Sequence, residues 1–374
     1  MDDRLRVAVT LEQCWHRVPG GTARSALESI DALRSHGDVD LIGVSAHHRS
    51  SPAPAWTPSI ETRSFRLPRL ALYEAWHRLR RPSVTRLVGG ADVIHATGMA
   101  VPPPTAALVV TVHDLAFLRN PSQFTSRGVR FFHRSIELAR RDATLVMSPS
   151  QATIDECIGA GFDPDRLRLV PWSVEAVDLE SARTDAARRA LGIDGPMVLW
   201  AGTIEPRKNL PVLLDAFRQL ADRSATLVLA GPQGWNEDLS ERVRALGDRV
   251  RMVGFLPGEE LRVLQAAADV FCFPSLQEGF GLPVLEAMAQ RTAVITSAGT
   301  ATAEVGGDAV VLVDPADSSE LAAALDALLA DPLTREALAE AGRQRAESAY
   351  SRAGHARTLS AVYAEAATRW EGRS

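Results

Sequence analysis

Four charged residues stand out for the chemistry their types and spacing permit: Arg207 and Lys208 in AGTIEPRKNLPVLLDAF, and Glu278 and Glu286 in FPSLQEGFGLPVLEAMAQ. The first stretch follows an apolar run and opens a helix expected near Asn209, a residue type that caps helices, with Pro211 tolerated in the first turn. Two cations beside backbone amides at a helix start suit a phosphate or diphosphate. A pair of solvated charges in a surface turn is the other reading. In the second stretch Glu278 falls in a loop, and Glu286 lies about one turn into a helix whose first turn holds Pro283. A carboxylate accepts from two vicinal hydroxyls, such as those of a ribose or a hexose. Gly279 and Gly281 let the backbone approach a ligand. Against these stand plainer readings: helix-dipole compensation for Glu286 and a solvated loop acid for Glu278.

Further candidates lie upstream. VPGGTARSALESIDAL places Gly20 and Gly21 between a first strand and a helix, although GGTARSA matches neither GxGxxG nor GxxxxGK[ST]. A close backbone approach to a ligand and a tight turn without one remain equal readings. VTVHDLAFL ends a strand with His113 and Asp114; His113 suits a substrate hydroxyl or a structural bond, and His95 in DVIHATG reads as structural. The acid pairs Asp38/Asp40 and Asp163/Asp165 fall in helix-to-strand turns, the wrong end of a parallel sheet for a ligand. No GxSxG or HExxH motif occurs.

These residues need strands to position them, and the chain supplies short β-branched runs alternating with helical patterns. RVAVTL, DLIGVS, DVIHATG, ALVVTVHD and ATLVMSPS occupy the first half; MVLWAGT, ATLVLAG, VRMVGF, DVFCFPS, AVITS and AVVLVD occupy the second. This pattern predicts parallel sheets with crossover helices, in two doubly wound domains whose ligand crevices lie at the carboxyl ends of the strands. A hinge is expected near residues 171–195, which gives domains at 1–175 and 190–350 and a terminal helix over 351–374 that crosses back to the first. A chain of 374 residues suits two domains and a ligand cleft between them.

A formal net charge of -5 argues against a nucleic-acid partner. Cys14, Cys157 and Cys272 form no metal or redox spacing and read as reduced packing residues of a cytosolic protein. MDDRLRVAVTLEQCW reads as a first strand and not a signal peptide, and no apolar run is long enough to span a bilayer. One local exception to the charge balance is residues 63–86. There Arg63, Arg66, Arg69, Arg78, Arg80, Arg81 and Arg86 interleave with Leu70, Leu72, Trp76 and Leu79. Such a stretch suits an anionic bilayer or a phosphate-bearing acceptor; a solvated helix face is the plainer account.

The ordered set strand-AGT-x-x-x-RKN-helix, then GF, then FPS-x-x-EGFGLPVLEAMA resembles the family 4 retaining glycosyltransferases of GT-B fold. The Glu-x7-Glu spacing of Glu278 and Glu286 is its most specific element. The resemblance implies two Rossmann-like domains facing across a cleft, and a hexosyltransferase that needs neither a metal nor a cofactor beyond its nucleotide-sugar substrate. It further implies that Arg207 and Lys208 hold the donor diphosphate, Glu286 the ribose and Glu278 the donor hexose. Phe280 and Gly281 would offer amides, Gly21 would approach from the opposite domain, and His113 would meet the sugar near the reacting centre. Gly20, Gly202, Gly279 and Leu282 complete the implied donor-binding set. HDLAFLRNPSQF looks most like mannosyltransferases, favouring GDP-mannose over a UDP-sugar, with a glycan or lipid-linked saccharide as acceptor. A cytoplasmic enzyme, soluble or peripheral on the inner face of the membrane, is expected. A non-catalytic nucleotide-sugar-binding subunit and a sugar-nucleotide epimerase are the competing functions. Pro171-Trp172-Ser173-Val174 stands where many relatives have Pro-Asn-Gly-Val, a departure expected to leave the site residues untouched.

Overall fold

The computed structural model describes residues 4–16, 19–234 and 238–372. Two compact units divide the chain, Met1–Ser173 with Arg352–Ser374, and Val174–Ser351. Each is built on one parallel sheet.

In the first unit the strands are β1 (Leu5–Thr10), β2 (Val39–Ser45), β3 (Thr62–Ser64), β4 (Val93–Ala96), β5 (Ala107–Thr111), β6 (Leu145–Ser148) and β7 (Leu167–Leu169), in the order β3-β2-β1-β4-β5-β6-β7. Central strands are apolar on both faces because helices cover both; β4, β5 and β6 are buried throughout. β3 was not expected: it is a three-residue polar edge strand held to β2 by main-chain pairing and by a Ser45 Oγ–Ser64 Oγ hydrogen bond of 2.8 Å. The acid pairs expected at the amino ends lie there: Asp38 and Asp40 flank the start of β2, and Asp163 caps the turn before β7.

The second unit holds β8 (Met197–Ala201), β9 (Thr226–Ala230), β10 (Val250–Gly254), β11 (Val270–Phe273), β12 (Ala293–Ser297) and β13 (Val311–Val313), in the order β10-β9-β8-β11-β12-β13. The stretch expected as a hinge belongs largely to this unit. Its helix Ser181–Ala190 is fastened by Arg188, whose guanidinium meets Asp269 at 3.0 Å and the carbonyls of Ala267 and Gly195.

The terminal helix Arg352–Glu371 packs on the first unit through Ala356, Leu359, Val362, Tyr363 and Ala366, all buried. Polar bonds fix its register: Tyr363 Oη lies 2.8 Å from His95 Nδ1, His355 Nε2 lies 2.8 Å from Ser29 Oγ, and Arg352 pairs with Glu28 at 2.7 Å. Among the described residues, no helix is long and apolar enough to cross a membrane.

The basic stretch divides by function. Leu72 and Trp76 are core residues, and Arg80 spans inward to Asp142 and the carbonyls of Val101 and Pro102. Leu67, Leu70 and Leu79 stay exposed beside exposed Arg66, Arg78 and Arg81. The three cysteines are buried, and burial pushes the thiols of Cys14 and Cys157 up to about 12, which suits packing and not nucleophilic chemistry.

Candidate functional site

Strand order fixes where a ligand can enter. In the second sheet the connections run outward to β9 on one side of β8 and to β12 on the other side of β11, so β8 and β11 flank the point where the winding reverses. Loops at the carboxyl ends of such a pair diverge and leave a crevice. The EPRKN loop leaves β8, and the loop carrying Glu278 leaves β11. Both strands are buried, so neither loop can shift register without moving the core.

The two loops meet at a charged cluster. Lys208 Nζ lies 2.5 Å from Glu278 Oε1, and Arg207 approaches Glu278 Oε2 at 3.3 Å. Ser275 Oγ donates to Glu278 Oε1 at 2.6 Å and Arg207 Nε meets Glu205 Oε1 at 2.5 Å. Lys208 also lies over the Phe273 ring, 4.9 Å from its centroid. Glu278 is therefore not a solvated loop acid, and Arg207 and Lys208 are not loose surface charges. Burial alone would raise the Glu278 carboxyl; Lys208, Arg207 and the Ser275 hydroxyl outweigh it and hold it below the usual carboxylate range. Lys208 is drawn below the usual ammonium range, first by burial and then by neighbouring Arg207, against the pull of Glu278 and Glu205.

Main-chain bonds lock the cluster. Leu276 N and Ser275 Oγ both donate to Arg207 O, at 2.8 and 2.9 Å. Arg207 and Lys208 occupy a 3-10 turn, Pro206–Lys208, that leads directly into helix Leu210–Gln219 with Pro211 in its first turn. Asn209 does not cap that helix with its side chain, contrary to expectation. Its backbone is left-handed (φ 57°), and its amide instead donates to Pro274 O at 2.9 Å and Pro315 O at 2.7 Å, tying three loops together.

Downstream, Gly279 follows Glu278, and buried Phe280 turns its ring edge-on to Tyr350 at 5.8 Å. Gly281 has φ 104°, and a Cβ there would lie 2.6 Å from Thr302 Cγ2, so only glycine fits. Leu282 begins helix Leu282–Ala289, whose N-cap Gly281 supplies no side-chain bond. Glu286 is buried on this helix with Gln265 Nε2 at 3.5 Å from its carboxylate. Gly202 closes β8, its amide donating to Ala230 O at 2.9 Å. A Cβ on Gly231 would lie 1.7 Å from Gly202 O, which keeps the two strand ends in contact.

The first unit repeats the logic. Its winding reverses between β1 and β4, and Thr97, just past β4, receives Gln13 Nε2 at 2.6 Å. His113, past β5, donates Nε2–H to Thr97 O at 2.7 Å. Burial lowers its pKa, so the ring is neutral near pH 7 and its Nδ1 is an acceptor. Gly20 and Gly21 start helix Gly20–His36, with open space where a Cβ of Gly20 would point. Trp172 leans its ring on His113 at 5.3 Å, so the Pro171-Trp172-Ser173-Val174 turn touches a candidate site residue. His355 donates Nδ1–H to Pro171 O at 2.7 Å and anchors that turn.

Sequence reasoning missed Glu205, Ser275 and Thr97. Glu205 was discoverable, being an acid two residues before Arg207 in an otherwise apolar approach to the loop.

Two units, each built on a parallel doubly wound sheet, define the GT-B glycosyltransferase architecture. Solved structures with that architecture match nearly the whole chain. Anabaena HepE in complex with UDP and glucose aligns over 95% of this chain and 98% of its own, with a TM-score of 0.78 and 20% identity. WaaG, a glycosyltransferase involved in lipopolysaccharide biosynthesis, aligns over 91% and 95% with a TM-score of 0.68 and 19% identity. The family description "Glycosyl transferases group 1" matches residues 183–345, and "Glycosyltransferase Family 4" matches residues 19–176. The O-antigen chain mannosyltransferase B of Escherichia coli is 30% identical over 68% of this chain and 70% of its own. The MMP alpha-(1->4)-mannosyltransferase of Mycolicibacterium hassiacum is 32% identical over 71% and 64%. The chain belongs to the family 4 glycosyltransferases, and it is an enzyme of that class.

Proposed function

We propose that this enzyme is a retaining hexosyltransferase that moves mannose from GDP-mannose to a hydroxyl of a glycan or lipid-linked saccharide. The observation that carries the reading is the meeting of Arg207, Lys208 and Glu278 at the reversal between β8 and β11. The two mannosyltransferase relatives support the choice of sugar.

In the proposed reaction Arg207 and Lys208 bind the diphosphate, Glu286 the ribose and Glu278 the hexose, with amides of Gly279, Phe280, Gly281 and Leu282 along the same path and Gly202 lining the end of β8. As the anomeric C–O bond breaks, its electron pair passes to the β-phosphate oxygen. Cations fixed beside that oxygen stabilise the transition state more than the ground state. The acceptor hydroxyl forms the new bond on the same face and gives its proton to the departing phosphate. Donor binding draws Glu278 from the cations onto the sugar hydroxyls. In the first unit, Gly20, Gly21 and the acceptor nitrogen of His113 are the proposed ligand contacts. Charge neutralisation then comes from side chains, with no divalent ion required.

Exposed Leu67, Leu70 and Leu79 among arginines support a further part of the reading, contact of the first unit with an anionic membrane where a lipid-linked acceptor resides. Co-sedimentation with phosphatidylglycerol vesicles should fall when Leu70 and Leu79 become serine; unchanged binding removes this part.

A thermal-shift series with GDP, UDP, ADP and their sugars tests the donor, because a ligand bound only by the folded state raises Tm with its affinity. GDP-mannose should give the largest shift. A larger shift with a UDP-sugar would overturn the donor but not the class; no shift and no donor turnover would overturn the reading.

A further inference from the structure

Glu205 has no place in the reaction above, yet its side chain is only 3% exposed and its Oε1 sits 2.5 Å from Arg207 Nε. A buried carboxylate is costly unless a cation holds it, and the cation in direct contact with Glu205 is the Arg207 guanidinium. Its backbone is fixed independently of the Glu278 loop. Ile204, just before it, bridges to Gln233; Ile204 N donates to Pro232 O at 3.0 Å and Gly234 N donates to Ile204 O at 3.1 Å. Lys208 N then donates to Glu205 O at 3.0 Å and closes the turn.

Arg207 is thus gripped from two sides, by Glu205 at Nε and by Glu278 with Gln277 O at its other end. The grips are not equivalent. Glu278 also serves Lys208 and Ser275, and it is the group the sugar hydroxyls require. We propose that Glu205 is the positioning residue of the diphosphate subsite: a permanent buried counter-ion that keeps Arg207 aimed at the phosphates after Glu278 leaves it for the sugar. The inference rests on the assignment of Arg207 and Lys208 to the diphosphate.

A carboxylate this close to a phosphate site has two opposite possible effects. As a positioning group it strengthens diphosphate binding; as a competing anion it weakens it. Calorimetric titration of the full chain with GDP, GMP, UDP and UMP separates them, the readout being the affinity gained from the second phosphate. Glu205→Ala should cut that gain about tenfold, the scale of one charge-assisted hydrogen bond, with monophosphate affinity changed less than about twofold. Glu205→Gln, which keeps an acceptor for Arg207 Nε, should restore most of the gain, whereas Glu205→Asp, one methylene short, should not. Arg207→Ala should cut it as well, and adding Glu205→Ala should take nothing more. Tighter GDP binding in Glu205→Ala, an unchanged gain, or equal losses for mono- and diphosphates would overturn the proposal. If Glu205→Ala does not fold, the contrast between the Gln and Asp variants decides. A wild-type chain that binds GDP no better than GMP, and UDP no better than UMP, would instead overturn the diphosphate assignment and the inference with it.

Discussion

Glu278 Oε1 and Lys208 Nζ lie 2.5 Å apart, with 7% and 8% of their side chains exposed. The two residues, seventy apart in the chain, join the carboxyl ends of β8 and β11, which are adjacent in the sheet. Glu278 neutralises the cations that the donor diphosphate is proposed to occupy. Ligand and carboxylate therefore compete for one ammonium.

Glu278→Gln should thus have opposite effects on binding and turnover. GDP, which has no sugar, should bind at least as tightly as to the wild type, since the competing charge is gone. Turnover of the donor should fall at least about a hundredfold, the scale for losing one preorganised transition-state contact. Calorimetry with GDP and a nucleotide-release assay check the two halves; weaker GDP binding would show that Glu278 supports the cations and does not compete with them.

Lys208→Met leaves Glu278 buried with Arg207 as its remaining cation, and should destabilise the second unit by about 2 kcal/mol. Adding Glu278→Gln should recover part of that loss, because the uncompensated charge is removed. Because the folded Glu278 pKa is depressed, its contribution is present above the unfolded carboxylate value and disappears as pH falls through the folded one. Urea unfolding of the single and double variants at pH 7 measures this. Equal stability of Lys208→Met and wild type would mean that Arg207 alone suffices.

Acid should attack the first unit before the second. Burial lowers His95 to about 3 and His77 to about 4, and lowers His113 and His355 as well, and all four belong to the first unit. An unfolded histidine takes up a proton below about 6.5, whereas these folded ones do not, so stability falls with pH from there towards the folded values. His95 alone should cost about 3 kcal/mol by pH 4. His95→Gln should flatten this limb in a Tm-against-pH series; an unchanged slope would mean that His95 is charged or solvated when folded.

Gly281→Ala should be severe for its size. A left-handed φ of 104° and a Cβ only 2.6 Å from Thr302 Cγ2 act together, and the loss should exceed about 1 kcal/mol. Thr302→Ser, which removes the clashing methyl, should recover the steric share in the double variant; calorimetric Tm values report both.

Much of this was legible in the sequence because it is local. Buried parallel strands announce themselves as unbroken apolar runs, and the loops after MVLWA and DVFCF carry their charges within a few residues of the strand ends. β3 was not legible, since three polar residues held by main-chain pairing have no side-chain pattern. Nor was the true role of Asn209, because Pro274 and Pro315 come from loops whose proximity only the sheet order determines. The same holds for the pairing of Glu278 with Lys208. The sequence offered one cationic and one acidic loop, and the adjacency of β8 and β11 turns them into one cluster.

Arg207, Lys208 and Glu278 are proposed to act together on a nucleotide-diphosphate sugar. Release of GDP from GDP-mannose by the purified chain, with and without Arg207→Ala/Lys208→Ala, tests this role most directly. Wild-type enzyme should release measurable GDP, and release should fall at least about a hundredfold in the double variant, with the fold retained. Equal release by the two proteins would contradict this role.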